Sequence, residues 1–144
     1  MMPFEKLDNS VGKLSVLSRA DEIITKGWVR RGYIAVDLRG QVPWRLEGHD
    51  QRSHNFHIQC LDMLDPLLTA HSKSQDRKYL DVALPIALDW IAQHSDPEVE
   101  GISPFAWYDM SVGMRAYRLA YLYEAAEQAG LLDESTKLQL WPSL

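Results

Sequence analysis

The stretch "SHNFHIQCLDMLDPLLTAHSKSQDRKYLDVALPIALDWIAQH", residues 53–94, decides the fold. Along it His57, Cys60, Leu61, Leu64, Leu67, Leu68 and His71 recur at three- and four-residue steps. Leu80, Ala83, Leu84, Ala87, Leu88 and Ile91 repeat the pattern further on. That period belongs to helices with one face turned inward. Pro66 interrupts the first set and predicts a kink, or a split after Asp65. Proline has no N–H to donate, and its ring collides with the carbonyl four residues back. Pro85 sits in the middle of the second set. "SKSQD" between them is short, with Ser74 or Asp76 as the cap. Two helices of roughly twenty residues joined this way predict an αα-hairpin.

Downstream, "FAWYDMSVGMR" (105–115) opens a third helix near Tyr108 or Asp109. It runs to Ala129, with Gly130 at the left-handed stop position. Its predicted inward stripe is Val112, Ala116, Leu119, Tyr123 and Ala126. A fourth helix begins after Asp133 and makes a second, unfinished hairpin. Upstream, "SRADEII" suggests a short helix, with Ser18 and Asp21 at capping-box spacing and Gly27 as its stop. "GYIAVDL" has the character of a strand but finds no partner run, and Gly32, Gly40, Pro43 and Gly48 break the segment around it. The expected fold is all-α, an irregular arm over 1–52 lying across a helical body over 53–144, in one globular unit.

Composition excludes several classes of function. A net charge of −5 opposes broad nucleic-acid binding, which needs a basic face to neutralise phosphates, and gives no polybasic segment for anionic lipid. No apolar run approaches the roughly 18 residues of a membrane span. Cys60 is the single cysteine, so no internal disulfide and no thiolate metal cluster can form. Glu5, Lys6, Asp8 and Lys13 stand where a secretion signal would need an apolar core. The sequence as written thus predicts a cytoplasmic protein, and a periplasmic one if a different N-terminus precedes it.

Two constellations carry chemistry. In the first, Tyr108 and Arg115 are seven residues apart and fall close to the apolar stripe of the third helix. Arg115 therefore faces neighbouring structure, where a guanidinium requires a carboxylate or a set of carbonyls. Asp109 is placed to cap the helix and to meet its dipole. One reading makes Arg115 a structural pin for a loop. The other is a helix-end cleft in which Trp107 stacks a sugar ring while Tyr108 and Arg115 meet hydroxyls or a carboxylate. The second constellation is "GHDQRSHNFH" (48–57). His49, Asp50, His54 and His57 lie close in sequence, yet there is no HExxH and no further ligand pattern. Arg52, His54, Asn55 and His57 are better taken as polar groups at a helix entrance, with Asn55 and His57 as candidate ligand contacts. No metal and no cofactor is assigned. His71 and His94 are expected at helix ends, complementing the dipole. Trp28, Trp44, Trp107 and Trp141 fall near element ends, which suits sugar stacking and core capping equally.

In order along the chain, Pro43–Trp44, Gln75–Asp76 with Tyr79–Leu80, Trp90–Ile91, and then Trp107, Asp109 and Arg115 form a pattern. Over roughly residues 42–130 it resembles the N-terminal helical part of heparinase II/III-like (alginate lyase-like) polysaccharide lyases. The resemblance implies an (α/α) toroid and β-elimination on uronate-containing polysaccharide. In that reaction the C5 carboxylate is neutralised, a Tyr or His removes the neighbouring proton, and an acid assists the leaving oxygen. The family's carboxylate-neutralising Asn–His pair lies beyond the matched region. "HNFH" at 54–57 has its residue types but neither its motif nor its position. The sequence supplies about two hairpins and no β-sandwich, so it resembles an incomplete part of the larger architecture. Such hairpins should leave an apolar face uncovered and open to self-association or to a partner. The expected ligand is an acidic polysaccharide or oligosaccharide. The competing expectation is a non-catalytic helical interaction module, and a small metal-dependent hydrolase using His54 and His57 is the third.

Overall fold

The computed structural model describes residues 12–28, 33, 35–39, 42–46, 51–94, 103 and 105–140. His49, Asp50 and Trp141 lie outside them. Among the described residues the structure is helical: α1 (Gly12–Lys26), α2 (Arg52–Gln59), α3 (Leu64–Ser74), α4 (Lys78–Gln93), α5 (Asp109–Gln128) and α6 (Glu134–Leu140). No strand forms among these residues, and Trp28 and Val36 make one isolated antiparallel bridge.

α1 starts at Gly12, so it is longer than "SRADEII" alone implies, and Ser18 lies inside it instead of capping it. Its expected stop holds. Gly27 has φ +90°, its N–H donates to the Ile23 carbonyl, and a Cβ there would collide with the Val36 carbonyl oxygen. The segment after it is more than a covering arm. Trp28, Val36, Leu38, Val42 and Trp44 are all buried in the same core as the helices. Asn55 holds the chain there by mimicking a strand edge. Its side-chain oxygen accepts the Leu46 N–H at 2.7 Å, and its amide donates to the Leu46 carbonyl at 2.8 Å.

The predicted long helix is split, but at Cys60–Met63 and not after Asp65. The break is a Schellman motif: Leu61 N–H donates to the Ile58 carbonyl and Asp62 N–H to the His57 carbonyl. Leu61 holds the left-handed position at φ +58°, which glycine usually fills. That conformation costs about 1–2 kcal/mol for an L-residue. Complete burial of the Leu61 side chain offsets it, by about 1.5–3 kcal/mol. Pro66 explains the register. A continuous helix would drive its ring into the Asp62 carbonyl, whereas at the third position of α3 its missing N–H is no loss.

α3 ends at Gln75 (φ 60°), whose N–H donates to the His71 carbonyl at 2.7 Å. Of the two expected caps Asp76 acts on α4, accepting the Lys78 N–H at 3.0 Å, while Ser74 receives the Asp76 N–H. α4 stays continuous through Pro85, which faces solvent. Its buried residues are Tyr79, Leu80, Ala83, Ile86, Ala87 and Trp90. Leu84, Leu88 and Ile91 are half-buried, so the inward face is rotated from the expected one. The two aromatics turn inward because their polar atoms find partners: Tyr79 Oη donates to Asp21, and Trp90 Nε1 donates to Gln59 Oε1 at 2.9 Å. α3 packs against both α1 and α4.

α5 matches its expected limits, with Gly130 at φ +72° behind it. Its inward face does not match. Ser111, Arg115, Arg118, Leu119, Leu122, Ala125 and Ala126 are buried, while Val112 is exposed and Ala116 and Tyr123 are half-buried. The helix is rotated so that two arginines dock beside Leu119, Leu122, Ala125 and Ala126. Arg118 is 2% exposed and forms a bidentate pair with Asp65 (Nε–Oδ1 and Nη2–Oδ2, both 2.6 Å). It also donates to the Cys60 carbonyl at 2.7 Å and lies 3.2 Å from Asp62. Burial opposes the Arg118 charge, but the pairing with Asp65 outweighs it and raises the pKa. α6 begins where expected, capped by Asp133 Oδ1 accepting the Thr136 N–H at 2.7 Å.

A buried pair broken on one side leaves an uncompensated charge. Arg118→Met is therefore expected to lower unfolding free energy in urea by about 3–5 kcal/mol, and adding Asp65→Leu to recover part of the loss. A single variant within about 1 kcal/mol of the parent would show that the pair does not hold the fold.

Candidate functional site

The first turn of α5 meets the end of α2 around Gln59. This buried side chain donates to the Trp44 carbonyl and accepts from Trp90 Nε1. Trp44 Nε1 in turn donates to Asp89 at 2.8 Å, and Asp89 also accepts the Val42 N–H. The arm, α2 and α4 are thereby locked together behind one tryptophan ring. On Trp90 sit His94, stacked at 4.4 Å and 8°, and the Arg115 guanidinium, 4.0 Å from the ring centroid. Trp107 covers the same guanidinium at 5.6 Å and meets Trp90 at 5.7 Å.

Arg115 is 3% exposed and donates to the Gln59 carbonyl at 2.7 Å. Among the described residues no carboxylate pairs with it. Burial lowers its pKa to about 10, so it stays charged at neutral pH. Arg115 and Arg118 are three residues apart on one helix face, and they grip successive carbonyls, Gln59 and Cys60, at the negative end of α2. Among the described residues Arg118 also holds carboxylates, whereas the Arg115 guanidinium meets one carbonyl and two indole faces.

Trp107 and Tyr108 are 44% and 50% exposed. Neither is loose. Tyr108 belongs to a three-ring cluster with Phe56 and Phe105, with edge contacts of 5.8–6.2 Å, and Arg52 lies over Phe105. Tyr108 takes the cap position in extended conformation, with no side-chain capping hydrogen bond. Asp109 is the first helical residue and exposed. It is not the cap, and what it gives the helix is its charge near the positive dipole end.

The structure thus brings Trp107 and Arg115 together, with Tyr108 beside them on Phe56. Asn55 is committed to Leu46, and His57 to Asp62 at 2.5 Å. His54 is a core residue stacked with Trp28 (4.6 Å) and Tyr33 (4.5 Å). Among the described residues no three potential metal ligands gather. Gln59, Trp90 and Phe56 are the contributors that residue spacing did not reveal. A lone amide in an apolar run was the one available signal for Gln59. Comparison of the chain with family models, with curated proteins and with solved structures finds no match.

His71 and His94 are buried near helix ends, and burial lowers both pKa values, so they are neutral packing groups and not dipole partners. His71 Nδ1 is 3.1 Å from the Tyr121 hydroxyl, and His94 Nδ1 is 2.7 Å from the Trp90 carbonyl. The unfolded chain takes up these protons near the ordinary value of 6.5, whereas the folded chain resists until lower pH. Below about pH 6.5 the unfolded state therefore binds more protons, and stability falls. Thermal unfolding followed by circular dichroism should show a lower Tm at about pH 5.5 than at about pH 7.5, and a smaller difference in His71→Gln. An equal or higher Tm at the lower pH would contradict this.

Proposed function

We propose that this chain is the helical, sugar-binding portion of a polysaccharide lyase-like protein acting on uronate-containing polysaccharide by β-elimination. In this reading α3–α4 and α5–α6 are successive hairpins of an (α/α) toroid. The observation that carries it is Arg115, a buried guanidinium that no carboxylate among the described residues pairs with, roofed by a half-exposed Trp107 that Tyr108 follows in the chain. A uronate ring suits that combination. Its face stacks on an indole, and its carboxylate supplies an anion that none of the described residues gives Arg115. With a net charge of −5, attraction for an acidic polymer has to be local, and at Arg115 a positive charge lies under the half-exposed Trp107 ring. Neutralising that carboxylate is also the electrostatic half of β-elimination, because it stabilises the carbanionic transition state. No side chain described here is assigned as the proton-abstracting base.

A second reading, a non-catalytic helical interaction module, is favoured by the uncharged middle of the outward face of α5, where Met110, Val112 and Tyr117 are exposed. Under that reading Arg115 serves only to hold the end of α2.

Tryptophan fluorescence separates the two. Titration with alginate or polygalacturonate should give saturable quenching that dextran does not give. Trp107→Ala should weaken binding about tenfold with unchanged thermal unfolding, since the ring is half-exposed. Arg115→Ala should abolish it. A flat response to every uronate polymer, or loss of folding as the sole effect of Arg115→Ala, would remove the saccharide reading.

A further inference from the structure

The only basic residues of α5, Arg115 and Arg118, are buried. Its exposed positions from Met110 to Ala120 are Met110, Val112, Gly113, Tyr117 and Ala120, and none carries a charge. At 100° per residue this uncharged arc spans about 200° of the helix circumference when half-buried Ala116 and Met114 are included. A solvent-facing helix surface ordinarily carries its charges there, and an uncharged outward face marks an interaction surface.

We infer that the outward face of α5 docks an amphipathic helix from another protein, with an apolar middle and basic ends. The shape suits a helix. A Cβ built on Gly113 meets nothing within 4 Å, so the centre of the face is flat, and Ala116 and Ala120 keep it low. The charges choose the occupant. The face is acidic at both ends: Asp109 at its start and Glu124 at its far end, seven residues beyond Tyr117 and fourteen beyond Met110 on one line. Glu127 lies next to that end but is 3.6 Å from Lys137, whereas Glu124 accepts only the neutral Gln128 amide at 3.5 Å among the described residues, so Glu124 is the carboxylate the partner meets. A second copy fits badly. Antiparallel α5 helices would set Asp109 of one against Glu124 of the other, and parallel ones would set like against like. Lys or Arg at both ends of the incoming helix meets both acids. The span from Asp109 to Glu124 is about 22 Å, so a partner helix of about four turns covers it.

The inference does not use Trp107 and stands apart from the saccharide reading. It is tested with the full chain and a fluorescein-labelled synthetic helix of about 15 residues, one face Leu and Ala, with a pair of Lys at each end. Fluorescence anisotropy should show saturable binding, at least tenfold weaker for the same peptide with Glu pairs, and weaker again on raising salt from about 0.05 to about 0.3 M. Gly113→Lys should cost at least about tenfold without lowering Tm, because the position is open and exposed. Glu124→Lys should erase the preference for Lys ends, while Trp107→Ala should leave peptide binding intact. Equal binding of the two peptides, no binding of either, or a dimer in sedimentation that Gly113→Lys dissociates would overturn the proposal.

Discussion

The structure depends on the bidentate pair between Arg118 and Asp65. Two charges are removed from water at a large desolvation cost, and that cost is met only by complete pairing. Both 2.6 Å hydrogen bonds, the Cys60 carbonyl and the nearby Asp62 carboxylate supply it. The pair fixes α5 to the start of α3, and through the carbonyl it also fixes the break between α2 and α3. A break that places a leucine in the left-handed region would otherwise be a weak point. Here it is buried, closed by two backbone hydrogen bonds, and its carbonyls are held by two arginines.

Everything around the candidate site follows from where that break puts Gln59. The Gln59 side chain positions Trp44 and Trp90, Trp90 supports His94 and Arg115, and Arg115 lies beneath Trp107. The two arginines of α5 differ in their partners among the described residues. Asp65 raises the pKa of Arg118, while burial depresses that of Arg115. The Arg115 guanidinium lies beneath the half-exposed Trp107 ring. The same inward turn of the arginines strips the outer face of α5 of positive charge, so one packing decision produces both the uronate site proposed for Trp107 and Arg115 and the acid-bracketed apolar surface.

The helical class was legible because residues 53–94 keep a three-to-four period over two long runs, and the ends of α1 and α5 because Gly27 and Gly130 take positive φ. Pro66 announced a break, but its place was hidden. The left-handed residue that closes α2 is a leucine, which no composition rule marks. For the site, Arg115 is buried as expected, although Tyr108 and Val112, which shared its expected face, are exposed. The acceptor of Arg115 is a backbone carbonyl, and carbonyls leave no trace in sequence. The rotation of α5 was missed for the same reason: an apolar stripe was expected to face the core, and charged groups took that place because Asp65 was waiting fifty-three residues away. Asn55 and His57 had the right polarity for ligand contacts, yet local backbone and Asp62 claim them.

The central claim is that the α2–α3 break is a rigid part of the core held by Arg118 and Asp65, and native-state hydrogen exchange of the amides of Leu64 and Asp65 tests it most directly. These amides donate to the Leu61 and Asp62 carbonyls at 2.9 and 3.1 Å. The account predicts that they exchange only through global unfolding, with the same free energy as the core amides of α3 and the same dependence on denaturant. Exchange through a low-energy local opening, with the rest of α3 still protected, would contradict it.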